Sequence, residues 1–208
     1  MDMRRLSTRA WLVPLIVTMA VFASSAYADD VSDYLSKGRE AFSRADVVDA
    51  MRWYRKAAEA GNADGQLQLA RLLDYSEQNE EAVAWYQKAA EQGHREAQHE
   101  LGGLYSSGEG VAKDSEQAVY WITRAAEQGL AAAIRSLATA YTSGQLGLAP
   151  DDTKAVEWLE RGVDAKDRWS VIRLAQAHRK GELGLTADPA RAQQLLAEIG
   201  ITSAPEKK

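Results

Sequence analysis

Apolar positions along the chain recur at helical spacing, in blocks that repeat. Tryptophans stand at Trp53, Trp85, Trp121 and Trp158, at intervals of 32, 36 and 37, and an alanine precedes each by three residues, at Ala50, Ala82, Ala118 and Ala155. A second column, Leu69, Leu101, Leu137 and Leu174, keeps the same intervals, and each leucine is followed by a small residue: Ala70, Gly102, Ala138 and Ala175. Two columns in one register define a tandem repeat, each unit long enough for a pair of helices. Ala and Trp at i and i+3 share one helical face, so the small residue beside the large one makes a notch that a neighbouring helix can fill. The small residue after each leucine admits close backbone approach on the partner helix.

The punctuation between these blocks fits helix ends. Gly61, Gly93 and Gly129 each follow an Ala-Ala run, where a left-handed C-cap belongs, and Lys166 breaks that column. Asp46, Asp114, Asp151 and Asp188 lie four residues before a column alanine and are expected N-caps. Gln117 adds a capping-box residue to Asp114, and Pro189 takes the first helical position after Asp188. The spacing predicts first helices near 31–43, 63–75, 95–106, 131–143 and 168–179, and partner helices near 47–60, 79–92, 115–128, 152–165 and 189–199.

The fold class that follows is all-α, an α-solenoid of about five antiparallel helix pairs. The turns inside the first two pairs are short, while the last three pairs carry Gly-bearing loops, SSGEGVAKD, TSGQLGLAPD and KGELGLTADP. The end repeats are atypical, with Lys37 in the leucine column and Leu195 in the tryptophan column, as expected of units that present one outer face to water. The array is expected over 29–200, followed by a frayed tail over 201–208.

The first 28 residues are expected to be an export signal. Arg4, Arg5 and Arg9 form a basic region, Trp11 to Ala23 an apolar one, and Ala26-Tyr27-Ala28 a small-residue cleavage site before Asp29. The alternative is an uncleaved anchor, because Ala10 to Ala28 carries no charge and approaches the roughly 20 residues that span a bilayer. Cleavage after Ala28 removes three Arg and one Asp, taking the formal charge from −5 to −7. The expected location is periplasmic or secreted. An acidic chain lacks the basic footprint that nucleic acid requires. With no cysteine, thiol nucleophiles, thiolate metal sites and disulfide staples are excluded.

The residues from Gly108 to Tyr141 resemble the Sel-one-like repeat family, a relative of tetratricopeptide repeats with longer loops between helices, and the likeness runs from about Trp53 to Leu185. The short turn near Ser76 to Asn79 and the missing glycine at Lys166 depart from that pattern. The resemblance implies a non-catalytic scaffold or adaptor of the cell envelope, holding partner proteins or peptides on the concave face of the solenoid. It also allows an accessory of exopolysaccharide export or of envelope signalling. A β-lactamase-like hydrolase is a third reading, but cysteine-rich members carry that likeness, and this chain has neither cysteine nor Ser-x-x-Lys.

If the tetratricopeptide register carries over, groove-facing positions fall two and five residues either side of each column leucine. The residues so nominated for partner binding are Arg71, His99, Arg135, Thr139, Trp169, Ile172 and Arg179. Asp64, Leu67, Asp74, Glu96, Ser106, Thr142 and Gln176 share their register. Trp169 stands outside the tryptophan column and, like Arg, is of a type that anchors interfaces; its alternative role is to cap the C-terminal core.

Other constellations read as structure. Lys56, Lys88, Arg124 and Arg161 recur three residues after each column tryptophan, with Glu59, Glu91, Glu127 and Asp164 three further on, which suggests a solvated outer ridge of weak ion pairs. Glu96 and His99 could share a helix face, but one copy is not a metal site, and His94 lies about 140° around the helix from His99. His178 occupies a column held elsewhere by Leu73, Tyr105 and Tyr141 and is expected to pack or cap. No cofactor or metal is expected, and the expected partners are envelope proteins or peptides, with no stable membrane insertion once the signal is cleaved.

Overall fold

A computed structural model describes residues 30–201. The expected signal over 1–28 and the tail from 202 onward lie outside the described residues. Helix α1 covers residues 30–43. It is followed by α2 (Val47–Glu59), α3 (Ala63–Tyr75), α4 (Asn79–Glu91), α5 (Arg95–Ser107), α6 (Ser115–Glu127), α7 (Ala131–Ser143), α8 (Asp152–Asp164), α9 (Arg168–Lys180) and α10 (Pro189–Glu198). Every boundary lies within one residue of its expected place, and the described residues contain no strand. None of their helices is long and apolar enough to cross a membrane. The chain divides into two compact units, Met1–Leu69 and Ala70–Lys208, with the division inside α3. In the second unit, consecutive helices from α4 to α10 pack each on the next, the arrangement of a helix-pair solenoid.

The caps form as the sequence expects. Asp46, Asp114, Asp151 and Asp188 each accept a hydrogen bond from a backbone N–H of the first helical turn, and Pro189 opens α10. His94 and Asp167 cap α5 and α9 in the same way. At the other end, Gly61, Gly93 and Gly129 adopt φ of +81°, +88° and +77°. The N–H that follows each glycine reaches back to the first alanine of the Ala-Ala run: Asn62 to Ala57, His94 to Ala89 and Leu130 to Ala125. Lys166 breaks the glycine column in sequence but not in geometry. Its φ is +57°, and Asp167 N–H returns to the Gly162 carbonyl in the same reversal.

The core refines the expected notch. The column alanines Ala50, Ala82, Ala118, Ala155 and also Ala192 are fully buried, yet the tryptophans at i+3 are only half-buried. The large buried residue is the next one along: Tyr54, Tyr86, Ile122 and Leu159, a column with the same intervals. Each indole N–H needs a polar partner, which favours a position at the rim. Trp53 Nε1 donates to Asp49 at 3.3 Å and Trp85 Nε1 to Glu81 at 3.2 Å.

The expected ridge of ion pairs is replaced by cation–π contacts. Lys56, Lys88 and Arg161 lie 4.3, 3.8 and 4.5 Å from the ring centres of Trp53, Trp85 and Trp158. Arg124 turns instead to Tyr120, donating to its hydroxyl at 3.1 Å. The magnitudes favour this choice: a cation over an indole contributes about 0.5–1 kcal/mol at an exposed site, against a few tenths for an exposed helical ion pair.

Close approach of helices rests on missing side chains. A Cβ on Gly102 would lie 2.5 Å from Ile122 Cγ1 and 3.0 Å from the Ala118 carbonyl oxygen, so α5 and α6 meet there backbone to side chain. Beside it, Gln98 is fully buried and bridges three helices, donating to the Ala90 carbonyl at 3.0 Å and accepting from Gln128 at 2.7 Å. Gln66 makes the same bond to the Ala58 carbonyl one repeat earlier. The two glutamines stand three residues before Leu69 and Leu101, at the column interval of 32, and Ile134 and Val171 take that place in the later repeats.

Two stability outcomes follow from these contacts. Gly102→Ala should cost about 1–3 kcal/mol through overpacking, read as a lower urea midpoint at unchanged slope. Lys166→Gly should stabilise by about 0.5–1 kcal/mol, read as a higher urea midpoint, because it relieves a left-handed residue whose strain exceeds the extra entropy glycine loses. No change for Gly102→Ala would mean that α5 and α6 have room to separate.

Candidate binding groove

The second unit carries an open groove of about 700 Å³ walled by α5, α7 and the start of α9. Of the nominated residues, it brings together His99, Arg135, Thr139 and Trp169, along with Ser106. The positions follow the expected register: two before and five after Leu101, two either side of Leu137, and five before Leu174. The α-helical repeat sets this spacing, since residues two or five from a core leucine fall about 140–160° around the helix from it, on the opposite face.

The other nominated residues stand elsewhere. Arg71 is engaged by Glu100 at 3.3 Å, Ile172 is half-buried, and Arg179 is exposed on the last turn of α9; none of the three lines this groove. Leu67 is buried, so it offers nothing to a groove. Glu96 is held by Arg95 at 3.0 Å. Thr142 donates to the Ala138 carbonyl of its own helix. Trp169 is 38% exposed at the groove wall and is not among the buried or partly buried side chains of the C-terminal core cluster around Leu174 and Leu195.

Seven groove residues were not nominated from the sequence, and three of them, Ser136, Leu146 and Ile122, shape its wall and floor. Ser136, one before Leu137, accepts a hydrogen bond in the groove wall. Leu146 belongs to a Gly-rich loop that reads as a turn, yet it takes φ of +57° and packs both into the groove and against the Ile122–Leu137 cluster. Ile122 reaches the floor from α6. The available signal was the Gly-x-Leu-Gly-Leu pattern shared by 144–148 and 181–185, in which Leu183 also adopts a positive φ and is buried.

Arg135 is the groove's permanent cation. Its Nε donates to the Ala131 carbonyl at 3.2 Å and lies 3.9 Å from Asp167 Oδ2. The terminal nitrogens, the fork that pairs with a carboxylate, are engaged by none of the described residues. Asp167 is nearly buried and is committed mainly to α9, accepting from Ser170 N at 2.9 Å and Ser170 Oγ at 2.7 Å.

His99 is poised as a neutral donor. Its Nε2 lies 3.2 Å from Ser136 Oγ, and that hydroxyl gives its single proton to the Ala132 carbonyl at 3.0 Å. Ser136 therefore accepts, Nε2 carries the imidazole proton, and Nδ1 keeps a lone pair. Burial pulls the His99 pKa below its ordinary 6.5; the nearby Glu100 opposes this, and Arg135 adds to it.

A histidine whose folded pKa is depressed takes up protons less readily than the unfolded chain. Its stabilising contribution is full above pH 6.5 and is lost as pH falls through that value toward the folded pKa. The melting temperature of the chain should therefore fall more steeply between pH 7 and pH 5 than that of His99→Gln. Parallel curves for the two proteins would remove His99 as a contributor.

The Sel1 repeat model matches five consecutive segments, 30–62, 63–94, 95–130, 131–167 and 170–198. Among solved structures, a Sel1 repeat protein from Oxalobacter formigenes is 29% identical, with a TM-score of 0.64, over 76% of this chain and 64% of its own length. A protective antigen of uropathogenic Escherichia coli displaying an SLR fold is 31% identical, with a TM-score of 0.73, over 85% of this chain and 39% of its own. A Sel1 repeat protein from Klebsiella pneumoniae, at 23% identity and a TM-score of 0.53, shares the fold over 84% of this chain and 88% of its own. This chain thus spans under two thirds of the first two proteins. No curated protein matches it. With matched segments spanning nearly all of the described residues, the chain belongs to the Sel1 repeat family, whose members generally mediate protein–protein interaction and are generally non-catalytic.

Proposed function

We propose that this chain is an exported, non-catalytic scaffold of the cell envelope that holds a partner protein or peptide in the groove walled by α5, α7 and α9. The observation that carries the reading is the groove itself. It collects four of the nominated, non-repeating residues, among them a half-exposed indole and a guanidinium whose terminal nitrogens no described residue engages. Residues that repeat along the chain serve packing, whereas His99, Arg135 and Trp169 have no counterpart at equivalent positions of the other repeats. Trp and Arg in a concave, mostly preformed cavity are the usual anchors of recognition. Export is supported by the basic, apolar and small-residue succession before Asp29.

A photo-crosslinking residue placed at Ser106, in the groove, should capture a discrete partner in the exported compartment, and one at Glu160, on the exposed side of α8, should not. Arg135→Ala combined with Trp169→Ala should abolish the capture at unchanged melting temperature, while Arg179→Ala leaves it intact. Equal capture from both positions would remove the groove from the reading. N-terminal sequencing of the same material should begin at Asp29, and an intact N-terminus in the membrane fraction would replace the exported scaffold with an anchored one.

A further inference from the structure

We infer that the groove selects a peptide segment bearing a Glu or Asp side chain, whose carboxylate pairs with the Arg135 guanidinium while a neighbouring apolar side chain rests against Trp169. This rests on the reading of the groove as a partner site and adds the chemistry of the partner. The size sets the first limit. About 700 Å³ is the scale of sites that receive small ligands, which suits a short segment of a partner.

Charge sets the second limit. Arg135 turns Nε to its own helix, and neither terminal nitrogen is taken by a described residue, so a planar pair of donors is presented for a bidentate acceptor. The competing acid, Asp167, lies 3.9 Å from Nε, beyond a good hydrogen bond, and is occupied by the N–H and hydroxyl of Ser170. The chain as a whole is acidic, with a formal charge of −5, which would repel an acidic partner at long range. At physiological salt that field is screened within about 8 Å, so the local guanidinium decides.

The uncharged lining fits the same ligand. His99 is a neutral donor–acceptor facing Ser136, and Thr139 adds a hydroxyl, so these polar groups can serve a peptide backbone without placing a negative charge beside the guest carboxylate. Ile122, Leu146 and the Trp169 ring supply apolar surface for adjacent side chains. Gly103 opens the wall between His99 and Ser106, since a Cβ there would meet nothing within 4 Å.

Proton linkage gives this inference a signature of its own. The charged groups around His99 are Glu100 on its own helix and Arg135 on α7, with Asp167 beyond Arg135 at the start of α9. Free, the groove disfavours a second cation beside Arg135. A bound carboxylate offsets that repulsion, so protonation of His99 and binding of an acidic segment favour each other. Affinity for the acidic segment should rise as pH falls from 7 to 5.5, a range in which Glu stays largely ionised.

The test uses the full mature chain and a pool of fluorescent hexapeptides of Ala, Ser, Leu and Tyr that carry a single Glu, Gln or Lys. Glu peptides should bind roughly tenfold or more tightly than their Gln isosteres, the loss expected for one charge-assisted hydrogen-bonded pair. That preference should vanish in Arg135→Gln, weaken in Arg135→Lys, and increase in Asp167→Asn, which keeps a capping oxygen but removes the competing charge. The tightening at low pH should vanish in His99→Gln. Should Arg135→Gln fail to fold, the Arg135→Lys and Asp167→Asn proteins still decide the matter. Equal binding of Glu and Gln peptides, lost on Trp169→Ala, overturns the acidic preference and leaves the groove a peptide site. Binding of a uronate oligosaccharide with no binding of any peptide overturns both.

Discussion

The structure depends on how closely neighbouring helices approach at positions with little or no side chain. The column alanines are fully buried, and at Gly102 even a methyl group would collide with Ile122 and the Ala118 carbonyl. At such a contact the backbone of one helix fixes the place of the next, with little freedom left to side-chain repacking. Repetition of the contact along the second unit sets α5, α7 and α9 side by side at a regular offset. Their faces turned away from the buried leucines, at positions two and five residues from them, then line one groove. The packing rule that makes the fold thus also makes the site, and Ile122 serves both, packing on Gly102 and lining the groove floor.

The tryptophans show how easily the two roles are confused. Four large aromatics in strict register look like the centre of the molecule, but each lies at the rim. At Trp53 and Trp85 an acid holds the indole N–H from one turn before and a lysine covers the ring from one turn after. Arg161 covers Trp158 in the same way. They stabilise individual helices and their edges. Trp169 breaks the register, lacks the alanine three residues before it, and is the one that reaches the groove.

Two carboxylates, Glu100 and Asp167, stand near the groove's charged groups, and Asp167 serves structure first. Asp167 caps α9 through Ser170, and its remaining field holds Arg135 near the groove wall without neutralising it. Beside it, burial and the same arginine keep His99 uncharged. The groove thus presents one fixed cation, one neutral imidazole and the hydroxyls of Ser106, Ser136 and Thr139. That suits a family whose members generally mediate protein–protein interaction.

The helix boundaries, their aspartate caps, the left-handed turns after Ala-Ala and the all-α class were legible in the sequence, because each depends on residues within a few positions of one another. Lys166 shows the strength of that local logic, since the turn forms there without its glycine. Local reasoning failed where partners were distant. It could not show that Ser136 receives His99, that Leu146 folds from a loop into the groove, that Gln98 ties three helices together, or that Arg71 is occupied by Glu100. Those outcomes depend on the offset between successive helix pairs, which backbone contact and loop length set jointly and no single repeat encodes. By itself the sequence determined the helices and the order in which they stack. The tertiary structure decided which of the unrepeated side chains share a cavity, because only the packed offset brings residues some 37 positions apart within a hydrogen bond of each other.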